Sequence, residues 1–262
     1  PVVPCSDGAC QVVAVGSDVT DFKVGDKVIG LFFPTWKDGV ITASDFAVSR
    51  GAGKNDGMLS EKVVGDAAGF LAYPQHLSAV EASTLPCAGV TAWHALMETE
   101  TTVKAGDTVL IQGTGGVSIY ALQLCALMGV NTIVISSSDE KLERVKRMGA
   151  THTLNYKKQP EWADAVLEMT GGEGVDRVIE VGGAGTLTQS MQAAKYGAVV
   201  SLIGILSGIK GEINPYPILT KSLRVQGIYV ASKAMQQRFH QFLAEHELQP
   251  VIDSLFDLRV TF

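Results

Sequence analysis

Three things are missing from this 262-residue chain. Its four cysteines, Cys5, Cys10, Cys87 and Cys125, show no paired spacing, which argues against a disulfide framework and suits a reducing compartment, so the cytoplasm is the expected location. No basic excess exists. The 21 Lys and Arg residues face 27 Asp and Glu, a net charge of −6, and no run of like charge forms a tail or arm, so no nucleic-acid surface is expected. Nor is any apolar stretch long enough to cross a bilayer. The longest helical one, 119–130, reads as a core helix lying on a sheet, and no membrane partner is expected. What is present is the composition of a globular protein, 46% apolar and 18% charged with 28 glycines for tight turns, and a length that accommodates two domains.

The stretch 107–156 carries the most information. A strand over 108–112 runs directly into Gly113-Thr114-Gly115-Gly116-Val117-Ser118, and an apolar helix follows over 119–128. At such a strand-to-helix turn a pyrophosphate can meet free backbone N–H groups and the positive end of a helix dipole, so the segment reads as a dinucleotide site. Its adenosine end is set about twenty residues further on, where an NAD-binding chain places Asp or Glu to accept hydrogen bonds from the ribose hydroxyls. Here the second strand, 132–135, ends in Ser136-Ser137-Ser138. Hydroxyls and N–H groups donate to a 2′-phosphate that a carboxylate would repel, and Lys141 one helical turn later adds a positive charge, which favours NADP(H) over NAD(H). The same serines fit helix capping, since Ser137 and Glu140 have the spacing of a capping box ahead of a helix over 139–148, and the two roles can coexist.

Up to about residue 80 the texture is antiparallel β, with strands expected over 11–15, 27–31 and 57–64, a polar glycine-rich loop over 51–56, and Phe32, Phe33 and Trp36 supplying core bulk. Helical pieces follow over 81–85 and 91–98. Beyond 107 strands and helices alternate: strands over 152–156, 177–181, 199–203 and 223–230, helices over 161–169, 187–194 and 235–245. That alternation predicts a parallel sheet covered on both faces, with the strand bounded by Leu223 and Val230 at its edge.

Taken jointly, several segments resemble the medium-chain dehydrogenase/reductase superfamily. They are Ser6-Asp7-Gly8-Ala9, Val12 to Gly16 with Phe22 and Gly25-Asp26-Lys27-Val28, Thr84 to Trp93, the glycine turn, and Gly174-Val175-Asp176 leading into Glu180-Val181-Gly182-Gly183. Within it the chain is most similar to the zinc-independent quinone-reductase and zinc-type alcohol-dehydrogenase-like branch. The resemblance implies a doubly wound Rossmann sheet plus an incomplete GroES-like antiparallel β-barrel: residues 1–84 as the substrate domain, 85–247 as the dinucleotide-binding domain, and 248–262 as a return to the first. It also implies pyrophosphate binding by Gly113, Gly115, Gly116 and Val117, Thr91 near the nicotinamide, Ser136, Ser137, Lys141 and Tyr156 around the 2′-phosphate, and Gly182 and Gly183 approaching the nicotinamide ribose. Ser118 replaces a usual third glycine but is small enough for close strand-helix packing. Relatives commonly pair their sixth strands, so a homodimer through 223–230 is expected.

Zinc-dependent relatives hold a catalytic metal with Cys and His ligands and a structural one in a four-cysteine lobe. That lobe is absent here, Ser6-Asp7 stands where a His-Glu pair would, and Cys87 alone aligns with a ligand, so no zinc is expected and Cys87 reads as a small buried residue. Members begin with strands ahead of Ser6 and close the barrel after Asp253, and the ending 258–262 does not resemble that closure; the chain is expected to be a fragment. The implied reaction is hydride transfer between NADP(H) and a carbonyl, an alcohol or a carbonyl-activated alkene such as a quinone or enone. The residues identify no catalytic acid or base: His94 reads as a solvated helical histidine, and Tyr120 as packing. A nucleotide-binding protein without turnover and a zinc-dependent alcohol dehydrogenase are the alternatives.

Overall fold

The structure, a computed structural model, describes residues 2–52 and 55–257. The loop expected over 51–56 and the ending 258–262 therefore lie partly and wholly outside the described residues. The chain divides into two compact units, one running to Val90 and resuming at Val230, the other spanning Thr91–Tyr229. The helix expected to finish the nucleotide-binding domain thus groups with the first unit.

In the first unit a three-stranded antiparallel sheet orders β1 (Ala9–Gln11), β2 (Lys27–Gly30) and β3 (Phe70–Ala72). Its helices are α1 (Ala43–Ala47), α2 (Ala79–Ala82) and α9 (Lys233–His246). The strand expected over 11–15 is in fact β1, ending at Gln11. Val13 and Val15 are β-branched and exposed, and hydrogen bonds from Val12 N–H to Asp26 and from Gly25 N–H to Val12 continue the pairing for one residue only. No strand forms over 57–64, where Gly57, Met58 and Leu59 donate to Val3, Cys5 and Pro4 instead, and β3 takes the place beside β2. The helix expected over 81–85 starts earlier: Ser78 caps α2 in a reciprocal box with Glu81, and a π turn over Leu85–Gly89 follows. Phe33 and Trp36 are buried, with ring centroids 5.8 Å apart.

The second unit is built on six parallel strands in the order β6-β5-β4-β7-β8-β9. They are β4 (Thr108–Gln112), β5 (Asn131–Ser136), β6 (His152–Asn155), β7 (Val175–Glu180), β8 (Ala194–Leu202) and β9 (Arg224–Gly227). Helices α3 (Val90–Met97), α4 (Gly116–Leu127), α5 (Asp139–Arg147), α6 (Trp162–Met169), α7 (Leu187–Ala193) and α8 (Tyr216–Thr220) connect them. The edge strand is half as long as the expected 223–230. Leu110, Ile133, Val178 and Val200 turn to one face and pack with Trp162, Val166, Leu187 and Met191 of α6 and α7. On the other face Arg177 is buried and donates to the Ala95 carbonyl at 2.7 Å, to Thr99 Oγ1 at 2.8 Å and to the Thr101 carbonyl, tying β7 to α3 and the loop after it. Burial pushes its guanidinium down to about 10. Among the described residues no helix is long and apolar enough to cross a membrane.

One buried histidine gives the first unit a pH dependence. His240 on α9 donates from Nδ1 to the Ala72 carbonyl at 2.9 Å, which leaves Nε2 to accept from Gln236 Nε2 at 2.8 Å, and burial holds its pKa down at about 4. The unfolded chain takes up a proton near pH 6.5 and the folded one only near 4, so this site's contribution is intact above the upper value and lost as pH falls between them. Between pH 7 and 5, wild type should lose about 2 kcal/mol more stability than His240→Asn in urea unfolding. Parallel pH profiles for the two proteins would refute the assignment.

Candidate functional site

Strand β4 ends in Gln112, and the chain leaves it through Gly113, whose φ of +73° is a left-handed conformation that side chains disfavour. Gly113 N–H donates to the Ile135 carbonyl at 2.7 Å, holding the turn against β5. Helix α4 begins at Gly116, three residues ahead of the start expected from sequence, so the glycine turn is itself the first helical turn. Its cap is Gly115, in extended conformation with φ −81°, and no side chain caps the helix. The N–H groups of Gly116, Val117 and Ser118 therefore head the helix as first-turn donors, at the positive end of its dipole.

Gly115 is informative because the fold does not require it. A Cβ built there would meet nothing within 4 Å, and the backbone angles suit any residue. The open space lies where a pyrophosphate would approach these N–H groups, so the residues present fit a dinucleotide. Ser118 is buried, and its hydroxyl donates to the Gln112 carbonyl at 2.7 Å, so it fills the third-glycine position with its polar atom satisfied.

The residues expected to meet the adenosine side lie at and beyond the carboxyl ends of β5 and β6. Ser136 is buried as the last residue of β5, and its carbonyl accepts from Tyr156 N–H at 3.1 Å. Ser137 is half-buried and Tyr156 and Lys141 are exposed, so Ser136, Ser137 and Tyr156 flank the adjacent strand ends with Lys141 in the first turn of α5. The cap of α5 is Ser138, not Ser137: Ser138 Oγ accepts from Lys141 N–H at 3.4 Å, because β5 runs through Ser136 and the helix starts one residue later than the box spacing implied. The carboxylate next in line, Asp139, is engaged by Lys158 Nζ at 2.7 Å and Asn155 Nδ2 at 2.8 Å, and these bonds pull its pKa down.

Gly182 and Gly183 follow β7, which pairs with β4, so the two turns leave adjacent strands. Their N–H groups donate to the Glu180 carboxylate, and both glycines are buried, with a Cβ on Gly182 falling against Thr186 and one on Gly183 against Ile205, so their place beside the nicotinamide ribose rests on resemblance. Thr91 is buried on α3, and its proximity to the nicotinamide rests on resemblance alone. Reasoning from sequence missed Gln112, Glu180, Thr186 and Ser190, whose side chains, buried except for the half-buried Thr186, interlock beneath the turn. A signal existed: each of two apolar strands ends on one polar residue immediately or nearly followed by glycine.

The remaining candidates sort quickly. His94 is buried at 7% exposure, not solvated, because α3 is buried along its length from Val90 to Leu96. Tyr120 is buried within α4. Cys87 is half-buried in the π turn, and desolvation first, then Asp7, pushes its thiol up to about 12. Asp7 accepts from Ser6 Oγ at 2.7 Å, and burial raises its carboxyl. Among the described residues no three His, Cys, Asp or Glu side chains group closely enough to hold a metal. An open depression of about 820 Å³ runs along α6, lined by Glu161, Asp164 and Glu168, and its carboxylates make it unsuited to an anionic dinucleotide.

Known proteins match this arrangement. Residues 1–75 match the family described as "Alcohol dehydrogenase GroES-like domain", and residues 116–246 the family described as "Zinc-binding dehydrogenase". A zinc-type alcohol dehydrogenase-like protein of Schizosaccharomyces pombe is 43% identical over 98% of this chain and 75% of its own. A Sinorhizobium meliloti crystal structure provisionally named an alcohol dehydrogenase is 42% identical, with a TM-score of 0.90 over 97% of this chain and 74% of its own. A crystal structure named NAD-dependent alcohol dehydrogenase is 30% identical, with a TM-score of 0.82 over 96% and 74%.

Replacing Gly115 by Val should leave stability within about 1 kcal/mol, the scale of a helix cap, while lowering NADPH affinity by roughly tenfold or more. Unchanged affinity in Gly115→Val would show that the open space is not where the pyrophosphate lies.

Proposed function

We propose that this chain, which belongs to the medium-chain dehydrogenase/reductase superfamily and is an NAD(P)-dependent oxidoreductase of its alcohol dehydrogenase-like kind, uses NADP(H) in preference to NAD(H). It acts without zinc, in the cytoplasm, on a carbonyl, an alcohol or a carbonyl-activated alkene such as a quinone or enone. The observation that carries the cofactor preference is the end of β5. Ser136 and Ser137 stand where a ribose-binding carboxylate would, and the neighbouring Asp139 is already paired with Lys158 and Asn155. A 2′-phosphate there meets hydroxyls, backbone N–H groups and the Lys141 ammonium, with the nearest negative charge offset. The name of the NAD-dependent structure describes that protein's cofactor, and what stands at the end of its own second strand would govern it.

The fold divides the labour. When bound, a nicotinamide supplies or accepts the hydride. Gly113, Gly115, Gly116 and Val117 would hold the pyrophosphate, Thr91, Gly182 and Gly183 the nicotinamide half, and Ser136, Ser137, Lys141 and Tyr156 the adenosine end. Hydride transfer to a carbonyl or enone builds negative charge on oxygen, which hydrogen-bond donors can stabilise in place of a metal. The zinc-free reading is supported by the donor set, a single thiol at Cys87 with Asp7 near it.

Assembly belongs to the same reading. Strand β9 pairs with β8 on one side, and Leu206, Tyr216, Leu219 and Tyr229 are all more than half exposed in the same unit. We place a homodimer contact there, edge strand to edge strand. Sedimentation should show a dimer, and a monomer at micromolar concentration would refute it.

The cofactor test is a calorimetric titration with NADPH and NADH. Wild type should prefer NADPH, and Lys141→Ala should weaken NADPH roughly tenfold, about 1.4 kcal/mol, with NADH unaffected. Tighter binding of NADH by wild type would overturn the assignment. Oxidation of NADPH across quinones, enones and aldehydes then identifies the substrate class.

A further inference from the structure

A fully buried carboxylate sits under the turn that follows β7, and the reaction chemistry has not used it. Glu180 is 0% exposed, and no cation pairs with it among its recorded partners. Its Oε1 accepts from Gly182 N–H at 2.7 Å, Gly183 N–H at 2.9 Å and Thr186 Oγ1 at 2.6 Å. Its Oε2 accepts from Gln112 Nε2 at 2.7 Å and from Ser190 Oγ. Every recorded partner is a donor, and two of them are the backbone amides of the glycine turn itself.

Gln112 completes the device from the other strand. Its Oε1 accepts from Val181 N–H and Gly182 N–H, both at 3.2 Å, while its Nε2 donates to Glu180 and to Ser190 Oγ at 2.7 Å. Gln112 is also the residue from which the chain enters Gly113. One connected set of hydrogen bonds therefore joins the turn proposed for the pyrophosphate to the turn proposed for the nicotinamide ribose. The second turn has little freedom of its own. Gly183 has φ +86°, and a Cβ there would lie 2.8 Å from Ile205 Cα, while the Gly182 carbonyl accepts from Ser207 N–H and Oγ at 2.7 Å each.

Ordinary packing needs none of this. A strand end capped by apolar residues costs less than a buried carboxylate, which is desolvated and tolerable only when its lone pairs are filled. What the carboxylate provides is direction: it draws both amides of the turn onto one oxygen and so fixes where the turn's backbone lies. We propose that Glu180, keyed by Gln112, is a positioning residue that fixes the Gly182–Gly183 turn relative to the glycine turn of β4, so that both halves of one dinucleotide are received in a single geometry. The inference rests on the cofactor reading above. Its consequence is specific to ligands that span both turns.

The test compares two ligands on the full 262-residue chain. NADPH spans both turns, whereas adenosine 2′,5′-bisphosphate fills the adenosine end and reaches the turn after β4 with its 5′-phosphate but lacks the half that would meet the turn after β7. Glu180→Gln keeps the shape but introduces an NH2 that cannot accept, so one of the two acceptor positions fails. NADPH affinity should fall about tenfold or more while the bisphosphate stays within about twofold of wild type. Equal losses for the two ligands, or none, would reduce Glu180 to a structural role and overturn the proposal. Wild type that binds the bisphosphate but gains nothing from the nicotinamide half would also overturn it, whereas wild type that binds neither ligand removes the cofactor reading itself. Should Glu180→Gln fail to fold, Thr186→Val removes a single donor from Oε1. A smaller shift of the NADPH to bisphosphate ratio in the same direction is then expected, and an unchanged ratio would count against the idea.

Discussion

Covering both faces of a parallel sheet is the constraint on which the second unit depends. Water cannot reach the middle of β4, β5 or β7, so side chains there are apolar or hydrogen-bonded within the protein, and the strands become runs such as Val109-Leu110-Ile111 and Ile133-Val134-Ile135 with almost no exposure. Polar residues are admitted on two terms. Arg177 enters from one face and is bound by the carbonyls and hydroxyls of α3 and its following loop. Gln112 and Glu180 enter only at the carboxyl ends of their strands, where the ladder stops and backbone N–H groups still need partners. The same stopping point is where the connections of β4 and β7 diverge to opposite sides of the sheet, which opens a crevice in any doubly wound fold. Burial in the sheet and opportunity at its edge are thus one fact seen from two ends.

The two units were not equally legible. In the second, strand runs are apolar on both faces and most helices are long, so element type was readable except for the short α8, which was missed, and the other errors lie at boundaries such as the start of α4 and the length of β9. In the first, strands of three or four residues carry too short a pattern to separate from loops. Val13 and Val15 have strand propensity but no partner beside them, since pairing, not propensity, makes a strand. The segment 57–64 was misread for the same reason, and β3 was missed because Phe70-Leu71-Ala72 is short and follows a turn capped by Asp66. The capping error at α5 has another cause. Three consecutive serines are locally equivalent, and only the end of β5 determines which one becomes the cap.

The candidate site shows the same division between local and long-range information. The glycine turn and the serines announce themselves because they act through backbone geometry and charge within a few residues. Glu180 and Gln112 lie 68 positions apart and become partners only when β4 and β7 pair. Locally each shows only as a polar residue that ends an apolar strand shortly before a glycine, and nothing local says that the two meet. Asp139 is the converse: its sequence position suggests a charge hostile to a phosphate, and only the pairing of β5 with β6 brings Asn155 and Lys158 to offset it.

Among the glycines, structure separates those the fold needs from those it does not. Gly113 must adopt positive φ, and Gly183 must do so with other backbone close against it, so their identity follows from the chain's own geometry whatever binds nearby. Gly115 has neither excuse. Its angles are ordinary, its surroundings are empty, and glycine at a cap is weaker than the Ser, Thr or Asp that would satisfy a first-turn N–H. A side chain there would have stabilised α4 by capping it. Leaving the position bare keeps those N–H groups available and the space before them clear, which is a loss for the isolated helix and a gain only if an anion comes to occupy the place of the missing cap.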